Sequence, residues 1–350
     1  MNVSLAYETA NLKQQRTKDS APALIKGKTA VDPVMDFAFS TRSGLSSFPR
    51  KLESRFLYDE RGSKLFDAIT EQPEYYLTRT ETEILAGYSG KIRKIAGGAT
   101  IVELGSGSSA KTGYLFRAWL SRSDKVHYVP IDVSASALDS ACSYIKSSYP
   151  NLKISGINSD YYGAFPLFSE IRPKLVLFLG SSIGNFDPGQ MKNFLTRLST
   201  SLFIGDTFLL GLDLVKEPSV IEAAYNDSAG ITREFTLNLF VRMNRELGSN
   251  IDLSAIEHEA LYNPQKEQVE ICARFTRNQT ITVRQTGDSF SIAAGEAIET
   301  EISRKFRLEQ FIPYLEEFGF SSEEVFIDDK EWFALVLLRR VPTRQHVGGR

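Results

Sequence analysis

Little in this 350-residue chain points to a metal or a disulfide framework. Its two cysteines, Cys142 and Cys272, stand alone in apolar settings, which excludes a disulfide scaffold and fits buried thiols in a reducing compartment. Three histidines, His127, His258 and His346, are too few and too scattered for a multi-histidine site, and no Cys/His cluster is present. No bound metal is expected. Excess charge is lacking too: 41 Lys and Arg against 43 Asp and Glu leave a net −2, without the basic surplus of a nucleic-acid binder. No apolar run approaches the roughly 20 residues of a membrane helix. Lys13, Arg16 and Lys18 are not followed by an apolar stretch, so no secretory signal is read and a cytoplasmic location is expected.

What the chain does have is a short apolar run, Thr100-Ile-Val-Glu-Leu104, that breaks into Gly105-Ser-Gly107 and then into the helical pattern Tyr114 to Leu120. A strand, a glycine turn and a helix start let backbone N–H groups approach a ligand closely. Gly105, Gly107 and Ala110 satisfy the dinucleotide spacing G-x-G-x-x-A, while Glu103, just ahead of the glycines, suits a methyltransferase. The next strand, Val126 to Asp132, ends in a carboxylate placed for a ribose diol. These residues alone leave NAD and S-adenosylmethionine equally open.

Along the chain, residues 1 to about 30 are polar and aperiodic and are read as mobile. Pro33 to Phe39 reads as a short helix and Thr41 to Pro49 as a connection. Ser63 is the expected N-cap of an amphipathic segment to Ile69, and Thr80 with Glu83 reads as a capping box. After the glycine turn, strands at 126–132, 152–157, 174–179 and 207–212 alternate with helices, which means a parallel sheet with helices on both faces and ligands at the carboxyl ends of its strands. Gly105, Asp132 and Asn185 all fall there. From about residue 217 the rhythm changes to two helices and then five strand-like runs between Ile251 and Ser303, read as an antiparallel meander. A helix from Phe306 to Phe318 and a terminal strand pair, ending at Arg340, complete the pattern; 342–350 reads as a tail.

Several segments together resemble the histidine Nα-methyltransferase family of ergothioneine biosynthesis. They are Phe56-Leu-Tyr-Asp-Glu-Arg-Gly-Ser-Lys-Leu-Phe-Asp67, Pro73-Glu-Tyr-Tyr-Leu-Thr-Arg-Thr-Glu81, Val102 to Thr112, Pro130-Ile-Asp-Val-Ser134, Leu179-Gly-Ser-Ser-Ile-Gly-Asn-Phe186 and Thr300-Glu-Ile-Ser-Arg-Lys-Phe306. The resemblance spans about residues 45 to 340, with a departure at Gly113-Tyr114, where an arginine is expected. It implies an α/β fold: a Rossmann-like class I methyltransferase domain, mostly parallel, from 81–216 and 306–350. A smaller α+β substrate-binding domain from 27–80 and 217–305 is implied beside it, after a flexible 1–26.

The resemblance further implies a monomeric enzyme that uses S-adenosyl-L-methionine to trimethylate the α-amine of L-histidine, with no nucleic-acid or membrane partner. Carried onto this chain, it places Tyr58, Tyr75, Asn185 and Tyr225 around the amine and carboxylate, with Tyr58, Asn185 and Tyr225 as the catalytic set. Glu301 and Ser303 are expected to face the imidazole. Gly105, Lys111, Asp132, Asp160 and Tyr161 are expected to hold the cofactor. A carboxylate can accept a ring N–H and a hydroxyl can serve the other ring nitrogen. A related fungal family N-methylates a prenylated tryptophan, whose indole has one N–H and no acceptor nitrogen, so the Glu301/Ser303 pair is the discriminating feature. An NAD-dependent oxidoreductase and a non-catalytic adenosyl-ligand sensor are the readings from other classes.

Overall fold

The computed structural model describes residues 23–26, 32–123 and 125–342. Chain order begins β1 (Ala23–Lys26), α1 (Pro33–Ser46), α2 (Glu60–Thr70), α3 (Tyr76–Ala96), β2 (Thr100–Leu104), α4 (Gly113–Leu120), β3 (Val126–Asp132), α5 (Ala135–Ser148) and β4 (Leu152–Asn158). It continues with α6 (Tyr161–Ala164), β5 (Lys174–Phe178), α7 (Pro188–Ser201), β6 (Thr207–Asp213), α8 (Pro218–Ala223) and α9 (Ile231–Glu246). The last part holds β7 (Ile256–Asn263), β8 (Gln268–Phe275), β9 (Gln279–Val283), β10 (Asp288–Ile292), β11 (Ala297–Arg304), α10 (Leu308–Glu316), β12 (Phe320–Ile327) and β13 (Phe333–Arg340).

The principal sheet has the order β1-β4-β3-β2-β5-β6-β13-β12. Neighbours from β1 to β6 are parallel, whereas β13 runs antiparallel to β6 and β12 antiparallel to β13. The terminal strands thus return to the parallel sheet as expected. Because successive side chains leave a strand on opposite faces, the strands feed two cores. Ile101, Tyr128, Leu175 and Leu209 pack on one side with Ile84 and Leu85 of α3 and Phe116 of α4. Val102, Val129, Val176 and Phe208 pack on the other with Phe194 of α7 and Leu315 of α10. Helices thus cover both faces of a mostly parallel sheet.

Helix boundaries differ from the sequence reading at α1, α2 and α3. α1 runs on to Ser46, so the connection before Pro49 is shorter. Asp59, whose carboxylate takes the Gly62 N–H at 2.8 Å, caps α2, and Ser63 lies inside it. Thr80 lies inside α3, which starts at Tyr76 with no side-chain cap at Tyr75, so there is no Thr80–Glu83 box. The turn before α3 is held instead by Arg79, which donates to the Gln72 and Pro73 carbonyls. Of the stretch expected to be flexible to residue 26, Ala23–Lys26 instead pairs in parallel with β4. Residues 1–22 and the tail 343–350 lie outside the described residues.

The antiparallel block forms two sheets, not one meander: β11-β8-β7, and a separate β9–β10 hairpin. In β11 a bulge at Thr300 interrupts the register, which resumes with Glu301 opposite Ile271 and Ser303 opposite Val269. The chain passes from β11 back to the principal sheet through a parallel bridge between Leu214 and Phe306.

Candidate active site

The turn after β2 is tied to β3 by the Gly105 and Ser106 N–H groups, which donate to the Ile131 carbonyl at 2.8 and 3.1 Å. Gly105 has φ +67°, and a Cβ there would stand 3.1 Å from the Tyr161 hydroxyl, so a side chain would fill the cradle. Asp132, at the end of β3, accepts the Gly107 and Ser134 N–H groups at 2.9 Å each. Burial raises its carboxyl above the ordinary value, opposed by those N–H donors. Asp160 caps α6 by accepting the Gly163 N–H at 2.6 Å. The neighbouring Tyr161 ring packs edge-on against Phe178 and Phe194. Beside Gly105, the Ser106 hydroxyl is buried without a hydrogen-bond partner among the described residues. A glycine cradle, a terminal carboxylate and an unpartnered hydroxyl fit the polar and ribose parts of S-adenosylmethionine.

Lys111 follows the turn and is anchored to Glu81 of α3, which also accepts the Gly180 N–H at 2.8 and 3.0 Å. Glu81 is fully buried, so one carboxylate sets the position of Lys111 and of the loop after β5. Glu103 is turned inward: its carboxylate accepts from the Thr112 hydroxyl at 2.7 and 2.9 Å and from Tyr128, and burial pushes it up to about 7. Its work is to fix the far end of the glycine turn.

The residues expected to contact the substrate assemble from distant segments. Tyr58, at the end of a short 3-10 turn, packs edge-on against Phe66 and Phe235, and Tyr75 against Phe66 and Tyr225. Burial raises Tyr58 well above the ordinary phenol range, and the charges and dipoles of Glu301, Tyr75, Tyr161 and Asp132 add to it. Tyr58 therefore lies within electrostatic reach of both Asp132 and Glu301. Tyr75 and Tyr225 are raised by burial as well, so all three are neutral phenols in the neutral pH range.

The short turn Ser182–Asn185 lies directly against β11. A Cβ on Gly184 would come 2.8 Å from the Arg304 carbonyl, so only glycine permits this approach. The approach brings the Asn185 amide N–H onto the Glu301 carboxylate. Burial pushes Glu301 up to about 7, partly offset by the nearby Lys305 and by Asn185. Two residues on, the Ser303 and Tyr225 hydroxyls stand 2.7 Å apart. Residues assigned to the amino-acid end and to the ring end are thus joined pairwise, Asn185 with Glu301 and Tyr225 with Ser303.

Beneath them lies a polar group that the sequence reading missed. Lys305 donates to Tyr225 and to Ser303, each at 2.8 Å, forms an ion pair with Asp213 at 2.8 Å, and is buried. Asp213 also accepts from the Tyr76 hydroxyl at 2.8 and 2.9 Å and from Lys216. Burial lowers Lys216 to about 8 despite Asp213. A signal for Asp213 was available: like Asp132, it is a carboxylate that closes an apolar strand. Lys305, within Ser-Arg-Lys-Phe, carried none, because a lone lysine in a strand reads as solvated. An open concavity of about 450 Å3 lies near Tyr76, lined also by Pro73, Glu74, Lys330 and Trp332, and none of the six substrate-side residues lines it.

Residues 37–340 match the family model described as histidine-specific, SAM-dependent methyltransferase. The chain is 40% identical over 299 residues to Histidine N-alpha-methyltransferase of Mycolicibacterium smegmatis, covering 85% of this chain and 93% of that protein. It is 38% identical over 265 residues to the Mycobacterium tuberculosis protein of the same name, covering 76% and 83%. Ergothioneine biosynthesis protein 1 of Neurospora crassa is 31% identical over 257 residues, covering 68% of this chain and 29% of that protein. With the matched region spanning both the glycine turn and Ser303, the chain belongs to the family of S-adenosylmethionine-dependent, histidine-specific methyltransferases.

Proposed function

We propose that this protein transfers methyl groups to the α-amino nitrogen of L-histidine, three in succession, forming the trimethylammonium betaine hercynine, a step of ergothioneine biosynthesis. The observation that carries the substrate is the placement of Glu301 and Ser303 on one face of β11, with Asn185 and Tyr225 bonded to them. An ionised Glu301 accepts an imidazole N–H and Ser303 serves the other ring nitrogen. An indole leaves Ser303 unmatched, which weighs against the tryptophan-type reading.

Bound S-adenosylmethionine supplies an electrophilic methyl group on a sulfonium. The chain's own residues supply alignment and an amine with a lone pair. Gly105, Lys111, Asp132, Asp160 and Tyr161 hold the cofactor in this reading. Tyr58, Asn185 and Tyr225 orient the amine, and Tyr75 closes the amino-acid end. Because burial keeps these phenols protonated, they orient the amine without fixing it as a salt-bridged ammonium. Asn185 donates its N–H to Glu301, which leaves its amide oxygen to accept from the amine.

We further read 81–216 with 306–350 as the methyltransferase domain and 27–80 with 217–305 as the substrate domain, a division supported by the Leu214–Phe306 bridge and by β12 and β13 returning to the sheet. A cytoplasmic monomer is part of the same reading. No helix among the described residues is long and apolar enough to cross a membrane, and both thiols are free and pushed up to about 11 by burial. The test is an incubation of the protein with S-adenosylmethionine and L-histidine, followed by mass spectrometry. Mono-, di- and trimethylated histidine appearing in order supports the proposal, and no methylated histidine overturns it.

A further inference from the structure

We propose that Lys305 is a positioning residue for ring recognition: held by Asp213, its ammonium occupies one lone pair on each of the Tyr225 and Ser303 hydroxyls and turns Ser303 into a hydrogen-bond donor toward an unprotonated ring nitrogen. The proposal rests on the histidine reading given above and deepens it. It follows from counting protons. An ammonium has three N–H donors and no acceptor. Here two go to Tyr225 and Ser303, each at 2.8 Å, and the charge is paired with Asp213 at 2.8 Å, so the cation is held within the protein.

The two hydroxyls, 2.7 Å apart, share one further hydrogen bond. Together they began with two protons and four lone pairs. Lys305 takes two lone pairs and their mutual bond takes one proton and one lone pair. One donor and one acceptor are left for the substrate, and they fall on different oxygens. When Tyr225 donates to Ser303, both Ser303 lone pairs are filled and its O–H points outward. When Ser303 donates to Tyr225, the roles reverse.

Glu301 selects between the two. Taking the N–H of a neutral imidazole, it leaves the second ring nitrogen as an acceptor, and only the first arrangement supplies Ser303 as a donor. The adjacent cation polarises that O–H, which strengthens the bond, and it disfavours a doubly protonated, cationic ring. Lys305 thus acts on the ring only through Ser303, whose second lone pair Tyr225 fills. Buried Asp213 is its anchor, and Lys216 and Tyr76 balance Asp213 from the other side.

The experiment compares kcat/KM for L-histidine with that for β-(2-thienyl)-L-alanine, whose five-membered ring has no nitrogen. It uses the wild type, Lys305→Met, Ser303→Ala and the double variant. Loss of a charge-assisted hydrogen bond predicts a fall of roughly tenfold or more for histidine in Lys305→Met, mainly through KM. The fall for thienylalanine is expected to be several-fold smaller, so discrimination narrows. On histidine the double variant is expected to match Ser303→Ala within about twofold, since a residue acting through another is not additive with it. Equal losses on both substrates, or losses that multiply in the double variant, overturn the proposal and leave a general structural role. If thermal melting shows Lys305→Met unfolded, Lys305→Gln, which keeps N–H donors without the charge, carries the same comparison. A wild type that does not methylate histidine overturns the substrate reading and this proposal together, whereas failure confined to the variants overturns this proposal alone.

Discussion

Replacing Glu301 with glutamine removes a charge while nearly keeping shape, and its effect is expected to depend on pH in a calculable way. Burial raises the Glu301 carboxyl to about 7, against the opposing pull of Lys305 and Asn185. Such a group is about 90% ionised at pH 8 and about 10% at pH 6. At pH 8 the wild type accepts the imidazole N–H with a carboxylate, and losing a hydrogen bond to a charged group costs about 1.5–3 kcal/mol, or roughly 10- to 150-fold in kcat/KM. At pH 6 most wild-type molecules have lost that acceptor, so the ratio of wild type to Glu301→Gln is expected to shrink by about tenfold. Protonation of histidine itself affects both enzymes and cancels in the ratio. The assay is initial-rate kinetics on histidine at saturating S-adenosylmethionine between those two pH values. A ratio that stays constant across the range refutes the ring contact with an ionisable Glu301.

The same displacement acts on stability. A carboxyl raised from 4.5 to about 7 costs the fold nothing below its unfolded value, and the cost grows as pH rises through the folded value. Glu301→Gln is therefore expected to raise Tm more at pH 8 than at pH 5, and a larger gain at pH 5 contradicts this sign. Asp132→Ala is expected to weaken S-adenosylhomocysteine binding by about 1.5–3 kcal/mol in calorimetric titration, and unchanged affinity counts against the cofactor placement. Asp206→Ala strands the fully buried Lys174 ammonium and is expected to cost about 3–5 kcal/mol, read as a lower urea midpoint at unchanged m. A loss below about 1 kcal/mol sinks that account of the pair.

The sheet was legible where one physical signal dominated. Apolar runs such as Leu175 to Phe178, buried on both faces, have few structures open to them, and glycines or helix caps mark their ends. Asp132 and Asn185 were legible as chemistry because polar groups that close apolar strands fall at the carboxyl ends of a parallel sheet. Helix starts were less legible, because Asp59 and Arg79 hold their turns through bonds that Ser63 and Thr80 imitate in sequence. β1 went unread because its four residues sit in a polar stretch and gain order by pairing with β4. The joined pairs at the site were out of reach of any local pattern: Asn185 and Glu301 are 116 residues apart, and Tyr225 and Ser303 are 78 apart. Buried charge was the hardest to read. Lys174, Lys216 and Lys305 look like surface residues until their partners are in place, and burying a charge is tolerable only when it is paired.

The central claim is that the ring of histidine lies at Glu301 and Ser303 while its amine faces the cofactor, so methylation falls on one nitrogen of the three. Tandem mass spectrometry of the product, formed with isotope-labelled S-adenosylmethionine, tests this directly. The account predicts that fragmentation releases all the label as trimethylamine and leaves an unlabelled imidazole fragment. Label retained on the imidazole would contradict the orientation and the substrate assignment built on it.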